Sequence, residues 1–204
     1  MTNPVPLEHG RYYHLYNRGN NRECIFVEER NYRYFLQLYA QHTEPIAETF
    51  AYCLLPNLFH FLVRIKDRQG KHCVFVAKPD RSGPKAPSQY FSNLFNAYAK
   101  AFNRAYERSG SLFQRPFGRV PVTSRAHLSH LVLYIHHNPQ RHGLVDDFRE
   151  WSYSSYHAHL SDKATRLRRD TVLAWFGGVG GLRAVHRREP DLRLLAPLAP
   201  EDFD

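Results

Sequence analysis

Along most of the chain the apolar residues follow one of two spacings, alternate positions or every third and fourth, and the switches between them mark out the elements. Residues 12–16 are aromatic and half alternating and run into Asn17-Arg18-Gly19-Asn20-Asn21, a turn signature, so a strand followed by a loop is expected. Between residues 28 and 42, Tyr32, Phe35, Leu38 and Tyr39 recur at the spacing of an amphipathic helix. A strand over 49–55 is closed by the turn residues Pro56-Asn57. Residues 59–66 then alternate, with Phe59, Phe61, Val63 and Ile65 on one face and His60, Leu62, Arg64 and Lys66 on the other. Two adjacent antiparallel strands are the simplest arrangement for this pair.

Residues 67–88 show little periodicity and read as a basic loop or insertion. Helical spacing resumes at Phe91, Leu94, Phe95, Tyr98, Phe102 and Ala105 and stops at Ser109-Gly110. Residues 117–122 suit a short strand, placed at a sheet edge by Pro121. Ser124 caps a third helix over 125–137, expected to close at Asn138-Pro139 because the residue before a proline resists helical backbone. The order strand, helix, strand, strand, helix, strand, helix predicts an α+β fold with an antiparallel sheet. Beyond about residue 160 the chain turns basic at Arg166, Arg168 and Arg169, then glycine-rich over 177–181. It ends in a proline-containing acidic tail expected to be loosely packed or disordered.

Composition narrows the class of partner. With 204 residues, 43% of them hydrophobic and 14% aromatic, the chain can bury a real core. Its 28 Lys and Arg against 19 Asp and Glu give a net charge of +9, which makes a polyanion the first partner to consider. No run of apolar residues is long enough to span a bilayer and no leader pattern opens the chain, so a soluble, cytoplasmic protein without a membrane partner is expected. The three cysteines, Cys24, Cys53 and Cys73, are never spaced as C-x-x-C and are expected to be reduced and structural.

The third helix carries the candidate chemistry. His130, Tyr134, Asn138 and Arg141 fall at i, i+4, i+8 and i+11, to one side of a helix. A tyrosine hydroxyl one turn from an amide oxygen suits attack on a phosphodiester, with Asn138 able to ligate Mg²⁺ or Mn²⁺ through its carbonyl oxygen. A solvated helix face around a core tyrosine is the alternative. His60, alone on its strand, reads more as a satisfied structural histidine than as a ligand, since divalent sites usually need three or more protein ligands. Arg11, Tyr12, Arg18, Arg22, Lys66, Arg68, Lys71, Lys78 and Arg81 interleave with aromatic residues in and beside the first strands and the following loop. That mixture grips single strands by pairing guanidinium groups with phosphates and rings with unpaired bases, although a scattered solvated surface would read similarly.

Several separated motifs tie these residues together: Tyr13-His14-Leu15-Tyr16-Asn17-Arg18-Gly19-Asn20-Asn21-Arg22; Ala51-Tyr52-Cys53-Leu54-Leu55-Pro56-Asn57 leading to His60; Leu112-Phe113-Gln114; Tyr134-Ile135-His136-His137-Asn138-Pro139; and Trp151-Ser152-Tyr153-Ser154-Ser155-Tyr156. On them the chain resembles the REP-associated tyrosine transposases, insertion-sequence single-tyrosine transposases of the HUH endonuclease superfamily. The resemblance implies a ferredoxin-like α+β fold over residues 1–160, with 161–204 as a C-terminal extension. It implies a transposase that binds single-stranded or hairpin repeat DNA and cleaves and rejoins it through a 5′-phosphotyrosine on Tyr134. The implied cofactor is Mg²⁺ or Mn²⁺, held by a His-x-His pair and by Asn138, and a homodimer is the implied assembly. DNA contacts are expected from Arg11, Arg18, Arg22, Lys66, Arg68, Lys71 and Arg141. One position departs from the family pattern: the first histidine of the pair is Leu58, leaving His60 alone unless His14 on a neighbouring strand substitutes. The alternative function is therefore a domesticated DNA-binding protein without catalysis.

Overall fold

The computed structural model describes residues 4–67, 85–191 and 193. Four strands, β1 (Tyr12–Arg18), β2 (Ala47–Leu55), β3 (Leu58–Ile65) and β4 (Gly118–Val122), form one antiparallel sheet in the order β2-β3-β1-β4. Two long helices, α1 (Glu29–Thr43) and α2 (Pro87–Ala105), cover one face, and α3 (Arg125–Arg141) covers the other. Three shorter helices follow: α4 (Tyr156–Leu160), α5 (Arg169–Phe176) and α6 (Val179–Val185). This is the expected ferredoxin-like α+β arrangement, with Pro121 on an edge strand where its missing N–H costs no ladder bond.

Alternation along β3 sorts the two cores. Phe59, Phe61, Val63 and Ile65 face α1 and α2, where Phe35 meets the rings of Phe26, Phe59, Phe61 and Tyr98 at centroid distances of 5.0–6.4 Å. Tyr39 stacks on Phe61 at 4.1 Å. Burying rings of this size dominates the stability of that layer, since each is worth roughly 3–5 kcal/mol against alanine. Leu58, His60 and Leu62 turn the other way, toward α3, so both faces of the sheet are covered.

Two of the motifs do structural work at the sheet margins. In the first, Gly19 N–H donates to the Asn57 carbonyl at 2.9 Å and Asn20 N–H to the Leu112 carbonyl at 3.0 Å, which ties the end of β1 to the β2–β3 turn and to the Leu112-Phe113-Gln114 motif. A side chain at Gly19 would come within 2.1 Å of the Glu23 carbonyl, so the residue must be glycine for this turn to close. In the second, residues 151–156 run along the outer edge of β2. Leu54 N–H donates to the Tyr153 carbonyl at 2.9 Å, Ser155 N–H to the Tyr52 carbonyl at 2.9 Å, and the Trp151 indole N–H to the Leu54 carbonyl at 2.8 Å. An edge that would otherwise offer unpaired backbone is thereby covered.

The structure corrects three of the sequence expectations. β1 continues through Asn17 and Arg18, which pair with Phe59 and Leu58, and the turn begins only at Gly19. β2 starts at Ala47, with a bulge between Thr49 and Ala51. The third helix does not stop before Pro139 but runs to Arg141. Every residue from Leu131 to Pro139 is buried, and this packing outweighs the local cost of an interior proline. The Asn138 side-chain amide donates to the Tyr134 carbonyl at 3.3 Å just before the proline, and the His142 N–H closes on the Asn138 carbonyl at 2.9 Å just after it.

Packing continues past residue 160. Val172 of α5 and Leu182 of α6 are fully buried in the same cluster as Ile135. The glycine-rich stretch is the turn between these helices: Gly177 ends α5 at φ 75° and Gly178 follows at φ 96°, conformations that other residues adopt only under strain. The expected disordered tail beyond residue 193 and most of the basic loop over 67–88, with Arg68, Lys71, Lys78 and Arg81, lie outside the described residues. Cys24 is exposed and Cys53 buried, both as free thiols. Among the described residues no helix is long and apolar enough to cross a membrane.

Candidate nucleic-acid site

Register and alternation bring the candidate residues together under α3. In β1, His14, Tyr16 and Arg18 point to the same face, and they stand opposite Leu62, His60 and Leu58 of β3 respectively. Tyr134 projects from α3 onto this patch. Its ring meets His60 edge-on at 5.5 Å and His14 edge-on at 6.1 Å. His14 Nε2 and His60 Nδ1 lie 3.0 Å apart in a hydrogen bond, and Tyr16 packs beside His14 at a centroid distance of 5.1 Å. The Tyr16 ring in turn lies across Gly118 of β4, where an added Cβ would sit 2.2 Å from it.

The site is deeply buried. Tyr134, His14, His60 and Asn138 all have 0% exposure, so the alternative of a solvated helix face does not hold along α3, whose stripe reaches solvent only at its ends, in half-buried His130 and exposed Arg141. Arg141 reaches back over Tyr134, with its guanidinium carbon 5.0 Å from the ring centroid. Burial, followed by the neighbouring cationic groups His14, His142, Arg18 and Arg141, holds the His60 imidazole well below its usual range.

This surrounding does not fit the divalent ion that the resemblance implies. Leu58, at the position the resemblance assigns to the first ligand, is 1% exposed and lies in the same apolar cluster as Tyr134. His14 and His60 direct facing nitrogens at each other. Asn138 Oδ1 is buried without a hydrogen-bond partner among the described residues, but it is one neutral donor. Among the described residues no three His, Cys, Asp or Glu side chains come together to hold a metal ion.

The predicted DNA-contacting residues divide into two groups. Arg18, Arg22 and Arg141 sit at the Tyr134 end of the sheet, beside the β2–β3 turn. Arg11 and Lys66 sit at the other end of β1 and β3, about 20 Å away at the rise of a strand, where Arg11 pairs with Glu8 at 3.7 Å and Lys66 holds the Glu44 carbonyl.

Two further features escaped the sequence reading. Asn17, Asn96, Gln114, Arg115 and Arg119 line a cleft of about 270 Å³ between α2 and the start of β4. Under the C-terminal helices, His136 Nδ1 lies 2.8 Å from His186 Nε2, and His136 Nε2 lies 2.8 Å from Ser155 Oγ. His186 Nδ1 is 2.8 Å from the Leu182 carbonyl and must donate there, so its Nε2 accepts from His136 and the Ser155 hydroxyl donates to His136 Nε2. Only the adjacent His136-His137 pair was visible in the sequence, because His186 lies fifty residues on.

The site thus sets a buried tyrosine of a helix against two imidazoles of a four-stranded antiparallel sheet. No family model matches the chain. A Haemophilus influenzae protein named as a REP-associated tyrosine transposase is 29% identical over 114 residues, 54% of this chain and 59% of that protein, so the chain spans less than two thirds of this relative's length. The solved structure of a REP-associated tyrosine transposase bound to a REP hairpin superposes with a TM-score of 0.56 at 18% identity, covering 79% of this chain and 86% of that one. The resemblance drawn from the motifs is thus supported by an independent sequence match, and the fold by a solved structure.

Proposed function

We propose that this protein binds hairpin-forming, single-stranded repeat DNA of the REP type and carries Tyr134 as the group that attacks a phosphodiester. The observation that carries the reading is the meeting of Tyr134 with His14 and His60 on one sheet face, in a chain similar to REP-associated tyrosine transposases. In that attack a bond forms from the Tyr134 Oη to phosphorus as the bond to the 3′ oxygen breaks. The phenolic proton passes to the departing 3′-hydroxyl and a 5′-phosphotyrosine remains; the reverse step rejoins the strand. Because Tyr134 is fully buried, DNA binding has to open the site before the hydroxyl can act. Arg18, Arg22 and Arg141 contribute phosphate contacts at this end of the sheet. The homodimer implied by the resemblance belongs to the same proposal, and light scattering on the free and DNA-bound protein tests it.

A second reading, a protein that occupies repeats without cutting them, is favoured by Leu58 and by the absence, among the described residues, of three His, Cys, Asp or Glu side chains grouped to hold a metal. Labelled single-stranded hairpin oligonucleotides from the DNA flanking the gene, incubated with the protein in Mg²⁺ or Mn²⁺, separate the two. A denaturant-resistant adduct that vanishes in Tyr134→Phe establishes cleavage. Retained binding with no adduct establishes the second reading, and absence of hairpin binding overturns both.

A further inference from the structure

The misfit between the site and a divalent cation has a second side, because guanidinium groups that border a site suit an anion. Arg18 stands directly opposite Leu58 in the β1–β3 register, so a guanidinium flanks the position where a metal-ligating histidine is lacking. Paired residues in such a ladder have Cβ atoms about 5 Å apart. Arg18 Nε is buried and has no hydrogen-bond partner among the described residues. From the opposite wall Arg141 covers Tyr134, and His142 follows it. His14, His142, Arg18 and Arg141 all act on His60 as cationic neighbours. Guanidinium forks pair with phosphate oxygens in two parallel hydrogen bonds, a geometry that needs no metal.

We propose that Arg18 and Arg141 together form a metal-independent phosphodiester site beside Tyr134, in which two guanidinium groups take the place of a divalent ion in holding the DNA backbone. This rests on the reading that the protein binds hairpin DNA. Leu58 then serves as apolar packing under the phosphate position, and the Arg18 Nε–H, unspent in the free protein, is satisfied by the ligand.

The test measures binding of the full chain to a fluorescein-labelled hairpin oligonucleotide from the flanking DNA, by anisotropy, in EDTA and in Mg²⁺, across a salt series. Parent affinity in EDTA is expected to equal that in Mg²⁺ within about twofold. Arg18→Gln and Arg141→Gln are each expected to weaken binding by at least about tenfold, as loss of a charge-assisted contact does. The double variant should flatten the slope of log K against log salt by about 0.7 per lost phosphate contact. Arg18→Lys should recover part of the affinity, and circular dichroism should show the variants folded as the parent. Binding that requires Mg²⁺, or folded arginine variants that bind with parent affinity and slope, overturns the inference while leaving hairpin binding intact. A parent that binds no hairpin overturns the functional reading and the inference with it.

Discussion

Lowering the pH from 7 to 5 should destabilise this protein through histidines that fold in the neutral form. His186 and His159 are 3% and 1% exposed, and burial first, then neighbouring cationic groups, pushes each from 6.5 down to about 4. His186 cannot accept a proton without losing a bond, since its Nε2 is the acceptor for His136. Between pH 6.5 and 4 the unfolded chain therefore binds more protons than the folded one. Stability is fully present above 6.5 and is lost as pH falls toward 4. At pH 5 the linkage amounts to about 2 kcal/mol for each histidine, or about 4 kcal/mol for the pair. His136 and His60, also held low by burial, act in the same direction. Among the described residues the carboxylates that shift, Glu28 and Asp147, move down from 4.5 and 3.8, away from this window. Urea unfolding followed by the fluorescence of Trp151 and Trp175 reads the effect directly. With a slope of about 2 kcal/mol per molar, the midpoint should fall by about 2 M between pH 7 and pH 5. In His186→Gln the fall should shrink by about half. A parent midpoint that does not move over this interval would refute the neutral, tautomer-fixed network.

Two other changes test the geometry of the site. Gly118→Ala drives a methyl group into the Tyr16 ring, and displacing a ring that packs on His14 should lower stability by about 1–3 kcal/mol and weaken hairpin binding; an unchanged urea midpoint would mean that the ring moves without cost. Leu58→His restores an imidazole two residues from His60 on the α3 side of β3, so the variant should gain a Mn²⁺-dependent rise in melting temperature that the parent lacks. Identical melting with and without Mn²⁺ in the variant would show that more than one ligand is missing.

The elements were legible where local rules and tertiary packing agree. The alternation of β3, the helical stripe of α1 and the Pro56-Asn57 turn all appear as read, because each period matches the face it buries. The end of α3 was misread for the opposite reason. Pro139 is unfavourable locally, yet its neighbours are held inside a core whose other half, Val172 and Leu182, comes from a segment with little periodicity of its own. The same limit applied to the site. Tyr134, His60, Asn138 and the Leu58 departure could be named from motifs, but the meeting of His14 with His60 depends on strand register, which no local pattern displays.

Register also decides what the site can hold. Shifting β1 by one residue would turn Arg18 and His14 to the α1–α2 side and leave Leu58 opposite Asn17 or Gly19, without a guanidinium beside it. The observed pairing instead sets the Arg18 guanidinium beside Leu58, on the sheet face that Tyr134 and Arg141 cover. A leucine substitution in a site that still depended on a metal would leave an uncompensated defect. On the proposed phosphate site, Leu58 and Arg18 act as one feature: an apolar floor and a guanidinium that together would hold the backbone of a nucleic acid rather than an ion.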